Sequence, residues 1–182
     1  QKVLDSLSMP PRIVKNRAGA KNEAMPAHTD SLPAVRVQRD GAIALVTLHN
    51  PPVNALSTAV RQGLQQAFAE LSHDADVHAI VIAGSGANFI AGADIREFGQ
   101  PPQAPSLPEV CNQIEASDKL VIAAIHGAAL GGGLEIALSA HYRVAVDTAK
   151  VGLPEVALGL LPGAGGTQRA PRLIGAAAAL DL

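Results

Sequence analysis

Two glutamates stand where glycine or proline shapes the backbone. Glu135 follows Gly131-Gly132-Gly133 at the start of a predicted helix, Leu134 to Ala140, and Glu155 follows Pro154 at the start of a short element reaching Leu160. If two such carboxylates converge, repulsion and burial raise one of them above the ordinary ~4.3 of a glutamate, which supplies an acid and a base at neutral pH. Adding water across an activated double bond needs that pair. Each residue also has a plainer reading: Glu135 suits a helix N-terminus, and Glu155 follows a helix-opening proline. Spacing alone does not choose between these.

Ala91-Gly92-Ala93-Asp94 is a second glycine-lined approach. If its main-chain N–H meets that of Gly132, the two would bind a thioester oxygen and stabilise an enolate, with one such donor worth about 3–4 kcal/mol of barrier. An ordinary glycine turn reads the same way. Other motifs carry less. Gly84-Ser85-Gly86 lacks the third glycine of a dinucleotide fingerprint, and no lysine follows a glycine run as in a phosphate loop. The histidines at 28, 49, 73, 78, 126 and 141 show no metal spacing, so no metal site is expected. Cys111 is the lone cysteine and reads as a buried structural thiol.

The elements that must position these groups alternate. Val35–Arg39 and Ala42–Leu48 form a hairpin about Asp40-Gly41. Ser57 caps a helix to Leu71, with Val60, Leu64, Ala67, Phe68 and Leu71 on one face. The all-apolar runs Ala79–Ala83 and Leu120–Ile125 are expected as buried strands. Tyr142–Val146 is a third. Asp94–Phe98 is a helical turn, Gly99–Pro108 a proline-rich surface loop proposed as part of an acyl-tail wall, and Glu109–Ser117 a helix. A second glycine turn at 163–166 leads into a helix near Gln168–Ile174. Ala176–Leu182 reads as a further helix with no packing partner of its own. Repeated strand–helix units indicate an α/β fold.

Composition sets limits. The 182 residues are 48% hydrophobic with a net charge of −2, which predicts no general attraction to nucleic acid, and the 2% aromatic content offers no stacking platform. No apolar run approaches the ~18 residues of a membrane span. Residues 1–30, with poor periodicity and Pro10-Pro11, are expected to be a flexible tail, linker or added segment, and 31–182 the folded domain.

Phe89-Ile90-Ala91-Gly92-Ala93-Asp94-Ile95, Ile122–Gly127, Ala129-Leu130-Gly131-Gly132-Gly133-Leu134-Glu135, and Pro154-Glu155 through Gly159–Gln168 resemble the crotonase, or enoyl-CoA hydratase/isomerase, superfamily. The resemblance implies a superhelix of ββα units that binds acyl-CoA, here ending before the family's C-terminal helices. It implies that Ala93 and Gly132 supply the oxyanion-hole N–H groups. It also implies that Glu135 and Glu155, twenty residues apart, are the catalytic pair of a hydratase in fatty-acid β-oxidation, with enoyl-CoA isomerisation as a second activity. Ala91, Gly92, Asp94, Ile95 and Arg96, with Asn54, Ala55 and Leu56, would border the CoA moiety, with Arg96 near its phosphates. Ala140–Arg143, Val151–Val156 and Ala178–Leu182 are similar to the amino-terminal hydratase module of multifunctional enzymes. NAD would then belong only to a dehydrogenase part beyond these residues, and no cofactor to these residues themselves. An oligomer or a partner domain is implied for the full-length protein. The compartment implied is the cytoplasm in a bacterium, and the peroxisome or mitochondrion in a eukaryote. Two alternatives stay open: another crotonase-type acyl-CoA reaction such as thioester hydrolysis, and a non-catalytic acyl-CoA-binding module.

Overall fold

A computed structural model describes residues 33–182, and the expectation for residues 1–30 lies outside them. Strands β1 (Val35–Asp40) and β2 (Ile43–Leu48) form the expected hairpin, paired antiparallel from Val35↔Leu48 to Asp40↔Ile43. β3 (Ala79–Gly84), β4 (Leu120–Ile125) and β6 (Tyr142–Ala145) then add in parallel, so the main sheet runs β1-β2-β3-β4-β6. A second, two-stranded parallel sheet joins β5 (Ala128–Leu130) to β7 (Lys150–Gly152).

Apart from β1, each strand of the main sheet is followed by a short extended piece and then a helix. After β2 comes Leu56, then α1 (Thr58–Ser72). After β3 come Ile90 and Ala93, then α2 (Leu107–Glu115). After β4 come β5 and α3 (Gly132–Ser139). After β6 come β7 and, past a 3-10 turn (Pro154–Leu158), α4 (Gly166–Ile174). The short pieces pair in register: Leu56 bridges Ala93, Ile90 bridges Ala129, and β5 pairs with β7. The chain is therefore a stack of four ββα turns, as expected of a ββα superhelix.

The core lies between the sheet and the helices. Ala44, Val46 and Leu48 of β2, Ile80 and Ile82 of β3, and Val121 and Ala123 of β4 are fully buried against Val60, Leu64 and Phe68 of α1, Val110 and Ile114 of α2 and Ile136 of α3. The strands alternate between buried and half-buried positions. The all-apolar runs at β3 and β4 were expected to be covered on both faces; the helices cover only one of them fully.

Several boundaries differ from expectation, among them α3, which starts at Gly132 rather than Leu134 and ends at Ser139. β5 and β7, three residues each, carry too little pattern to stand out as strands. α2 begins at Leu107 rather than Glu109 and ends at Glu115. Ser106 and Glu109 form a reciprocal capping box there, and Pro108 sits in the first turn where its missing N–H costs nothing. α4 starts at Gly166. α5 is only Ala176–Ala179, and it packs on α4. The chain after it is also partnered, because the Leu182 carbonyl accepts the Leu153 N–H at 2.6 Å. No helix among the described residues is long and apolar enough to cross a membrane.

Candidate active site

The short pairing pieces place the candidate residues. Gly131 lies between β5 and α3 with φ +52°, a conformation that glycine adopts without strain. Its N–H is held by the Gly152 carbonyl of β7 at 2.9 Å. Gly133 packs backbone to backbone: a Cβ there would collide with the Ile90 carbonyl of the neighbouring turn. The start of α3 is thus pulled down onto the stack, and Gly132 faces a cavity of about 370 Å³.

That cavity is lined by Ala93, Gly132, Glu135 and Glu155 together, so residues from three successive turns meet in one place. Its walls are apolar: Phe98, Leu107, Pro108, Leu130, Leu158 and Leu160. The N–H groups of Ala93 and Gly132 have no hydrogen-bond partner among the described residues. Gly132 is the first residue of α3, where an intrahelical partner does not exist. Leu56 pairs past Ala93, taking the Gly92 carbonyl instead at 2.9 Å. Two unpaired donors therefore border an apolar cavity that also holds two acids.

Glu135 is 2% exposed. Its Oε1 accepts the N–H of Ala164 at 2.7 Å and of Gly166 at 2.9 Å. These two donors belong to the second glycine turn, whose function sequence reasoning missed. The fit there is tight: a Cβ on Gly166 would come within 3.1 Å of the Glu135 Cγ and Oε1, so a side chain at 166 would press on the glutamate. Glu155 is half-buried, with Oε1 lying 3.1 Å from where a Cβ on Gly131 would be. Its Oε2 is buried without a hydrogen-bond partner. Burial raises the Glu155 carboxyl above its ordinary value, partly offset by its own backbone N–H, and the charge of Glu135 raises it further.

The remaining candidates divide. Ala91, Gly92 and Ile95 line the same cavity. Leu56, Ala93 and Arg96 border a second hollow of about 410 Å³ with Arg61 and Gln100–Gln103. Asp94 is buried. It caps the turn Ile95–Glu97 through the Arg96 N–H and holds the Arg96 guanidinium with an Nη2–Oδ2 distance of 2.6 Å. The Arg96 hydrogen bond keeps Asp94 below the usual carboxylate value. Asn54 does not face either cavity with its amide. Its side chain accepts the Asn50 N–H and donates to the carbonyls of Ser85 and Asn88, and Ala55 likewise gives its carbonyl to the Asn50 side chain. Asn54 thus ties the 50–57 turn to the loop after β3, while Ala55 braces the turn from within. Of the proline-rich loop, Leu107 and Pro108 at its far end wall the acid-bearing cavity, with Phe98 just before it, while Gln100–Gln103 border the second hollow. Cys111 is buried, which pushes its thiol up to about 12, so it is inert. Among the described residues no cluster of His, Cys, Asp or Glu has the makings of a metal site.

Residues 38–182 match the family described as enoyl-CoA hydratase/isomerase. The chain is 55% identical over 141 residues to a peroxisomal bifunctional enzyme of Danio rerio, covering 78% of this chain and 20% of that protein. It is 46% identical over 156 residues to a probable enoyl-CoA hydratase of Bacillus subtilis strain 168, covering 82% of this chain and 60% of that one. Among solved structures, an enoyl-CoA hydratase from Mycobacterium tuberculosis H37Rv superposes with a TM-score of 0.77 at 34% identity, covering 83% of this chain and 61% of that chain. The chain thus spans 20% of the bifunctional relative and 60% of the probable enoyl-CoA hydratase.

Proposed function

The chain belongs to the enoyl-CoA hydratase/isomerase family and has its crotonase-type fold, and on that premise we propose that it adds water across the double bond of a trans-2-enoyl-CoA to give a 3-hydroxyacyl-CoA. One observation carries the reading: two acids and two unpaired N–H donors border the same apolar cavity. The thioester carbonyl accepts from Ala93 and Gly132, which stabilises the enolate as charge develops on its oxygen. Water is held between the carboxylates. Its oxygen bonds to Cβ, one of its protons passes to a carboxylate, and a proton from the other carboxyl reaches Cα, so the sum is substrate plus water.

The environments support a division of labour. Glu135, with Oε1 fixed by two N–H groups, accepts the proton from water. Glu155, whose carboxyl is raised by burial and has a buried oxygen without a donor, gives the proton to Cα. The same Glu155 carboxyl can move a proton along an acyl chain, which supports isomerisation as a second activity. The CoA moiety is proposed to lie over Ala91–Arg96 and Leu56. Relatives with peroxisomal names and a bacterial relative support a β-oxidation setting in either kind of cell.

The test is hydration of enoyl-CoA esters by the intact protein, followed by loss of enoyl absorbance. Glu135→Gln and Glu155→Gln are each expected to lower kcat by about 10²–10⁴-fold, with acyl-CoA binding by calorimetry kept within a few-fold. Wild-type-like hydration in either variant overturns the assignment. Release of free CoA thiol in place of hydration would favour thioester hydrolysis, and binding without turnover a non-catalytic module.

A further inference from the structure

Arg169 lies on α4, directly after the turn whose N–H groups hold Glu135. Its guanidinium reaches three partners. Nη1 donates to the Ala164 carbonyl at 2.7 Å, Nε and Nη2 donate to the two Glu115 carboxylate oxygens at 3.1 and 2.7 Å, and Nη2 also reaches Asn112 Oδ1 at 3.2 Å. The Arg169 side chain is 11% exposed and that of Glu115 is 56% exposed, so the ion pair is anchored from inside. Ala164 is consequently held on both sides: its N–H points at Glu135 Oε1, and its carbonyl is held by Arg169. Glu115 and Asn112 belong to α2, the helix whose first turn, Leu107 and Pro108, walls the cavity.

We infer that Arg169 is a positioning residue: it clamps the 164–166 turn between α2 and α4 so that both N–H groups fix Glu135 Oε1 and leave its other oxygen for the reacting water. Its catalytic part rests on the hydratase reading of Glu135; its geometric part does not. A guanidinium suits this task because its planar fork serves a carboxylate bidentately while a third N–H reaches a carbonyl, which an ammonium cannot do at once. The bland alternative is that the ion pair only staples α4 to α2. The two differ in coupling. A staple loosens everything near it, whereas a clamp acts through Glu135.

The experiment uses Arg169→Gln in the intact protein, alone and combined with Glu135→Gln. Expected is a loss of about tenfold or more in hydration kcat with KM within about twofold, and less than about twofold further loss when Glu135 is already Gln. Amide exchange at Ala164 and Gly166 should quicken by about tenfold while Ile136 in α3 stays unchanged. Glu115→Gln, which keeps the bond to Ala164, serves if Arg169→Gln does not fold; about a threefold loss of kcat is expected, again absent beside Glu135→Gln. Arg172→Gln, whose partner is Gln168 one turn earlier on the same helix, should change nothing. Equal losses in both backgrounds, or unchanged exchange at Ala164 and Gly166, overturn the proposal. If the wild-type protein hydrates no enoyl-CoA, the hydratase reading falls, and amide exchange alone decides whether Arg169 holds the turn.

Discussion

At Glu155, burial works against the ionised form of the carboxyl. The unfolded chain ionises this glutamate near its ordinary value of 4.5; the folded chain does so only at higher pH. Between those two values the unfolded state loses its proton first, so folding stability falls as pH rises and stays lower above the folded value. Glu155→Gln removes that penalty. The variant should melt at a higher temperature than wild type at pH 7–8, and the gain should vanish as pH falls to about 4, below both values. Melting curves of the two proteins across that range check it; a gain independent of pH would mean that charge is not its source. A residue that raises stability when neutralised yet abolishes turnover fits a site held under strain for function. Both acids were legible from their glycine and proline neighbours and from family resemblance. The donors to Glu135, at Ala164 and Gly166, were not, because a main-chain N–H leaves no residue type to read. The part played by the Asn54 amide went unread for a similar reason: it satisfies the Ser85 and Asn88 carbonyls across a turn, which spacing does not reveal.

Elements, rather than side chains, bring the cavity walls together. α1 was readable to within a residue, because its buried face Val60, Leu64, Ala67, Phe68, Leu71 repeats at helical spacing behind a serine cap. α2 was readable only in part. Four prolines suggested a loop as far as Pro108, yet Ser106 with Glu109 three residues on is itself a helix-start pattern, and it overrode the prolines. Ser106→Ala should therefore cost about 0.5–2 kcal/mol in denaturant melts and should weaken substrate binding, because Leu107 and Pro108 follow the cap directly. At α3 the sensitive point is the contact between turns. Gly133→Ala drives a Cβ into the Ile90 carbonyl, which is backbone and cannot rotate away. The expected loss is about 1–3 kcal/mol or more by the same melts, with hydration falling as well, because Gly132 and Glu135 move with the helix start. A substitution that left both stability and hydration intact would show that the stack tolerates a wider spacing. β5 and β7 went unread because three residues hold too few alternations to mark a strand; their existence depends on the partner turn, not on their own sequence.

Residues 33–182 are a stack in which every turn leans on the next through one line of short parallel pairings, Leu56 with Ala93, Ile90 with Ala129, and β5 with β7. The cavity follows that line. Ala93 comes from the second turn, Gly132 and Glu135 from the third, and Glu155 and Ala164 from the fourth. No single turn contains a binding site, so a ligand that fills the cavity must favour the assembled stack over any partly assembled one. Residues 33–182 also cluster as one compact unit, with the sheet core shared by α1, α2 and α3. Binding and global unfolding are thus linked. A saturated acyl-CoA, which has no double bond to hydrate, present at about 100 times its Kd should stabilise the protein by about 2.7 kcal/mol. For a unit of this size that corresponds to a rise in Tm of roughly 5–10 °C, carried by one cooperative transition. Calorimetry of the intact protein with and without ligand checks this. Two transitions assigned within 33–182, only one of them moved by ligand, would mean that the turns fold separately and that the cavity belongs to a subset of them. A single shifted transition in wild type that persists in Glu155→Gln, but shrinks in Gly133→Ala, would place the binding energy in the stacking of the turns and leave the acids to the chemistry.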